Sequence, residues 1–62
     1  MIWMKIKTIE LEEKTVYCAE CRFNNNSNTF SYYSVDHETK KGFTDRVMAT
    51  IRNEFRIKPE VI

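Results

Sequence analysis

Ile2, Met4 and Ile6 alternate with Trp3, Lys5 and Lys7, and a period of two in polarity marks a strand with one face buried. A first strand is therefore predicted over residues 2–11. Glu12, Glu13 and Lys14 supply a polar reversal, and residues 15–23, rich in Thr, Val, Tyr and Phe, predict a second strand. On it Tyr17, Ala19, Cys21 and Phe23 share one side and Val16, Cys18, Glu20 and Arg22 the other; the first set is expected to face the core. Asn24 to Asn28 are five polar residues suited to a hairpin loop. Residues 29–36 then predict a third strand. Its facing is ambiguous, with Phe30 and Tyr32 on one side and Tyr33 and Val35 on the other.

After a turn over residues 36–42 the period changes. Phe43, Val47, Met48, Ile51 and Phe55 fall on one helical stripe, while Arg46, Arg52, Asn53 and Arg56 occupy the opposite arc. A helix is predicted over residues 43–56, with Thr44 as N-cap and Asp45 at the positive end of its dipole. Pro59 disfavours helix at Lys58, so the chain should leave in an extended form, with Val61 and Ile62 as a short edge strand or a tail. The order β-β-β-α describes an α+β domain over residues 1–62: a three-stranded antiparallel meander with one amphipathic helix across one face.

Composition agrees with a folded chain of marginal stability. Of 62 residues 42% are apolar and eight are aromatic, with one Gly and one Pro, too hydrophobic for a disordered segment. A chain this short buries only about 60% of its unfolded surface. Lys5 and Lys7 interrupt the most hydrophobic segment, so no run is long enough to span a bilayer. The chain opens without the pattern of a secretory signal, which together with sparse cysteine predicts a reducing, cytoplasmic setting. The net charge of +1 gives no general attraction to polyanions, but residues 40–62 carry six bases against three acids.

Cys18-Ala19-Glu20-Cys21 is the one motif that invites metal or redox chemistry. Residues three apart on a strand point to opposite faces, so the pair cannot curl around one ion. His37 adds only a third ligand where a closed structural zinc site needs four. A site shared between subunits would escape this limit. No helix follows to lower a thiol pKa. One buried and one exposed thiol are expected, replaceable at modest cost, with no resident metal or cofactor. Asp36-His37-Glu38 is expected to be a solvated turn. The Asn25-Asn26-Ser27 glycosylation pattern is read as part of the loop, and no Gly-rich phosphate loop or known hydrolase motif occurs. An enzyme is not expected.

The strand order, with Lys40-Lys41 near the helix start, resembles the later half of a double-stranded-RNA-binding domain. That family has an Ala-rich helix behind the lysines and a further helix before the sheet; this chain has neither pattern.

One helix covers only one side of a sheet. The other side is expected to show Trp3, Lys5, Lys7, Cys18, Glu20, Arg22 and either Tyr32 or Phe30, a mixture typical of binding hot spots. The expectation is a non-enzymatic protein that docks on a larger protein to regulate or inhibit it, as small phage and mobile-element products do by class analogy. Its contact residues would be drawn from Trp3, Lys5, Lys7, Arg22 and Tyr32 on the sheet and Arg46, Arg52 and Arg56 on the helix. A homodimer through the sheet face would also cover it. The alternative is nucleic-acid binding, with Lys40, Lys41, Arg46, Arg52 and Arg56 on phosphates and Trp3 or Tyr32 as a stacking platform.

Overall fold

A computed structural model describes residues 1–23 and 28–62. Strands β1 (Ile2–Glu10), β2 (Thr15–Phe23) and β3 (Thr29–Tyr33) precede helix α1 (Lys40–Phe55) and a two-residue strand β4 (Glu60–Val61). The sheet order is β3-β2-β1-β4, with the first three strands antiparallel and β4 parallel to β1. The expected α+β meander under one helix is thus present, extended by a fourth short strand. Apart from Asn28, the predicted loop 24–28 lies outside the described residues, as does the Asn25-Asn26-Ser27 pattern.

The core follows the alternation. Ile2 and Met4 from β1, Ala19 and Cys21 from β2, and Phe43, Val47 and Ile51 from α1 are buried together, with Ile6, Tyr17 and Met48 packed against them. A second cluster closes one end, where Phe55 meets Phe23 edge-on (ring centroids 5.5 Å apart) and Phe30 (5.4 Å). The facing of β3 resolves here. Phe30 lies opposite Cys21 and Tyr32 opposite Ala19, so both rings share the helix side. The small Ala19 and Cys21 side chains leave the volume that these rings fill. Tyr32 and Phe30 are therefore absent from the open face, and Tyr33 takes the outward position instead.

The helix begins three residues earlier than predicted. The Gly42 amide donates to Thr39 Oγ1 (3.0 Å), so Thr39 is the N-cap and satisfies one of the orphan amides of the first turn. Thr44, expected as the cap, sits inside the helix and donates its hydroxyl to the Lys40 carbonyl (2.8 Å). The helix ends at Arg56, which adopts the left-handed conformation (φ 59°) and returns its amide to the Arg52 carbonyl. That geometry normally selects Gly.

Strand β3 ends at Tyr33 rather than Asp36 because Ser34 and Glu38 divert the chain. Ser34 Oγ accepts the Tyr17 amide (2.8 Å) in place of a backbone carbonyl. Beyond it a turn closes with the Glu38 amide donating to the Val35 carbonyl (3.2 Å). His37, third in that turn, has φ 67°, as a type II turn demands.

Candidate functional site

Helix α1 covers only one side of the sheet, and the register builds the uncovered side row by row. Trp3, Arg22 and Thr29 form one row; Lys5, Glu20 and Ser31 the next; Lys7, Cys18 and Tyr33 the third. Ile9 and Val16 begin a fourth. The Ser34 amide donates to the Tyr17 carbonyl (2.9 Å), which continues the pairing of β2 with the chain after β3. Val35 follows one residue later, beyond the last registered pair of β2 with β3.

These rows divide the face into two unlike ends. At one end Trp3, Lys5, Glu20, Arg22, Thr29, Ser31 and Ile62 line a depression of about 290 Å³. Lys5 and Arg22 have no ion-pair partner among the described residues, whereas Lys7 is paired with Glu20 (3.0 Å). At the other end Ile9, Leu11, Tyr33 and Val35 are exposed around the half-buried Val16, with Tyr33 60% and Val35 64% accessible. This apolar end was not among the predicted contact residues. A signal for it exists in the sequence: the apolar alternation runs through Ile2, Met4 and Ile6, then changes phase to Ile9 and Leu11. Residues Lys7 to Lys14 are all exposed, so the β1–β2 hairpin projects beyond the helix, and there the apolar side chains move to the other face.

The predicted contact residues are thereby divided. Trp3, Lys5, Lys7 and Arg22 lie on the uncovered face as expected, and Trp3 is half-buried there. Tyr32 packs under the helix, where burial first, then the Glu54 and Cys21 charges, raise its hydroxyl pKa. Arg46 does not stand free in the outer arc. Its Nε and Nη2 donate to the two Glu38 oxygens (2.7 and 3.0 Å), and Nη2 also donates to the Tyr33 carbonyl (3.2 Å). Its guanidinium lies 5.5 Å from the Phe43 ring centroid. Arg46 sits at the margin of the core stripe, three residues after Phe43 and one before Val47, so it reaches β3 instead of solvent. The hydrogen bond from Arg46 is the main cause holding the Glu38 carboxyl below its ordinary pKa. Glu38 is accordingly a structural partner, not part of a solvated turn. Arg52 and Arg56 remain exposed without ion pairs among the described residues.

Cys18 and Cys21 point to opposite faces of β2, yet neither is exposed, at 5% and 1% accessibility. Cys18 is shielded on the open side by the flanking Lys7 and Tyr33 positions. Desolvation, reinforced by Cys18, pushes the Cys21 thiol up to about 11, the opposite of what a nucleophile or redox thiol requires. Among the described residues no three potential ligands converge on a common point, and no helix is long and apolar enough to cross a membrane.

Compared with protein families, with characterised proteins and with solved structures, the chain matches none.

Proposed function

We propose that this chain is a non-enzymatic docking protein that regulates a larger protein by occupying its surface with the uncovered side of the sheet. The observation that supports this most is the apolar end of that face, where Ile9, Leu11, Tyr33 and Val35 are exposed together beside the charged rows of Lys5, Lys7, Glu20 and Arg22. Exposed apolar residues gathered at one place mark interaction sites more than scattered ones do. Affinity capture from the native source, with and without nuclease, tests the reading. A protein partner retained after nuclease and lost with the Ile9→Glu, Tyr33→Glu double variant is expected. Retained material that vanishes on nuclease treatment would overturn it.

A nucleic-acid reading has one observation in its favour, the depression where Lys5 and Arg22 flank Trp3 beside the hydroxyls of Thr29 and Ser31. Cations beside an indole suit a stacked base and its phosphate. Glu20 in the same depression opposes it, and the nuclease arm separates the two. Self-association through the face is a third outcome, visible as a concentration-dependent unfolding midpoint.

A further inference from the structure

Along the β1–β2 hairpin the uncovered face changes chemistry in a fixed order. Its β1 side chains read Lys5, Lys7, Ile9 and Leu11. The Leu11 amide donates to the Lys14 carbonyl (2.9 Å), so Glu12 and Glu13 form the hairpin tip just beyond the apolar rows. Lys7 is held by Glu20 (3.0 Å) and Lys14 by Asp36 (3.5 Å). Lys5 on one side of the apolar rows, and Glu12 and Glu13 on the other, have no ion-pair partner among the described residues. Glu10 belongs to the opposite face and accepts the Thr15 hydroxyl (3.2 Å). Arg22 and Glu60 both flank Trp3, a row farther out than Lys5, and offset each other in charge. The order is therefore an unpaired cation, an apolar centre and unpaired carboxylates. Lys5 lies four residues before Ile9 and Glu13 four after it, about 13 Å along the strand and somewhat less at the turn.

We infer that two copies of this chain associate through the apolar end of the uncovered face, in an antiparallel two-fold that sets the Glu12-Glu13 tip of each against Lys5 of the other. This goes beyond docking on a larger protein, because it names what covers the face when that protein is absent. A two-fold contact needs a surface complementary to itself, and the charge order about Ile9 supplies one. A half-turn about an axis through the Ile9 and Val16 row, perpendicular to the strands, lays each hairpin antiparallel over its copy. Ile9 and Val16 then meet their counterparts, Leu11 covers the aliphatic stem of the second Lys7, and the tip carboxylates reach the second Lys5 at both ends. An axis parallel to the strands instead brings the two tips together, carboxylate against carboxylate. The contact is small: four partly exposed side chains a copy, Ile9, Leu11, Val16 and Tyr33, fall short of the roughly 800 Å² per partner of a stable complex. The pair therefore forms at high concentration and separates on dilution, which leaves the face open to a larger protein.

Sedimentation equilibrium of the full chain, from micromolar to millimolar concentration, tests this, with circular dichroism to confirm that each variant is folded. The wild type should pass from monomer to dimer across that range, and Ile9→Glu should stay monomeric throughout. Lys5→Glu in one variant, and Glu12→Lys with Glu13→Lys in a second, should each weaken the dimer about tenfold, the scale of reversing two exposed ion pairs. Mixed in equal amounts, these two charge variants should associate as strongly as the wild type. One end of the mixed interface then pairs the two reversed sites, and the other keeps Lys5 against native carboxylates. A wild-type chain that is still monomeric at millimolar concentration overturns the inference. So does a dimer indifferent to Ile9→Glu, or a pair of charge variants that gains nothing on mixing. Should any of these occur while capture of a larger protein still depends on Ile9 and Tyr33, the docking reading stands and only the self-pairing is wrong.

Discussion

Replacing Cys21 by Ala and by Ser distinguishes a packed core atom from a reactive thiol. Cys21 sits at 1% accessibility among Ile2, Met4, Ala19, Phe43, Val47 and Ile51. Deleting its sulfur removes one heavy atom from a close-packed interior and should cost about 0.5–1.5 kcal/mol. Serine keeps an atom there but adds a hydroxyl that needs a partner. The thiol donates to the Ala19 carbonyl, 4.0 Å from Sγ, and a shorter C–O bond leaves the oxygen poorly placed. The cost of Cys21→Ser should then be about 1–3 kcal/mol. At Cys18, outside the core cluster and covered on the uncovered face only by the Lys7 and Tyr33 side chains, a smaller cost of about 1 kcal/mol is expected. A domain of this size shifts its midpoint by about 4–8 °C per kcal/mol, so thermal melts at pH 7 resolve the order wild type, Cys18→Ser, Cys21→Ser. With a thiol pKa pushed up to about 11, Cys21 should resist thiol-directed reagents at pH 8 until the chain unfolds. A Cys21→Ser protein that melts at the wild-type temperature, or native Cys21 labelling as fast as an unfolded peptide, refutes the reasoning.

Among the described residues, two without glycine's freedom hold positive φ, His37 at 67° and Arg56 at 59°. Glycine at either should raise stability by about 0.5–1 kcal/mol, measured by urea unfolding, since the left-handed strain exceeds the entropy glycine adds to the unfolded chain. Glu38 gives an acid-sensitive contribution. Its folded pKa lies below the ordinary carboxylate value, so its stabilisation is fully present above that value and is lost as pH falls through the folded pKa. Glu38→Gln should be less stable than wild type at neutral pH and converge with it in acid, whereas a constant gap across the titration would show that the Arg46 pairing contributes nothing. Phe43→Ala should leave little folded protein by circular dichroism, because losing a fully buried ring costs about 3–5 kcal/mol, comparable to the total stability expected of so small a domain.

The framework was legible wherever one face of an element is dry along its length. Ile2, Met4 and Ile6, then Tyr17, Ala19, Cys21 and Phe23, and then Phe43, Val47 and Ile51 all face where their periodicity placed them. Strand β3 was ambiguous because it carries aromatics on both sides. Its facing is decided by which neighbours are small, Ala19 and Cys21, and that is a property of β2. The helix start was missed because Lys40, Lys41 and Gly42 have no apolar period and Gly is a poor helix former. The cap at Thr39 and the Lys41–Asp45 pair (2.8 Å) support that first turn instead. Arg46 was misplaced because a wheel shows the direction of a side chain but not its reach, and a long guanidinium at the border of a core stripe can bend back onto the sheet. The apolar end of the open face is not legible from the alternation of Ile9 and Leu11 alone, because it depends on where the helix above them ends.

If a protein partner covers the uncovered sheet side, radical footprinting of the chain alone and in complex with its captured partner will show it. Ile9, Leu11, Tyr33 and Val35 are exposed in the free chain. These four should lose their reactivity in the complex while Ile57, an exposed residue just past the helix, keeps its own. Unchanged labelling at the four, with protection moved to Ile57 and the arginine arc of Arg52 and Arg56, would contradict it.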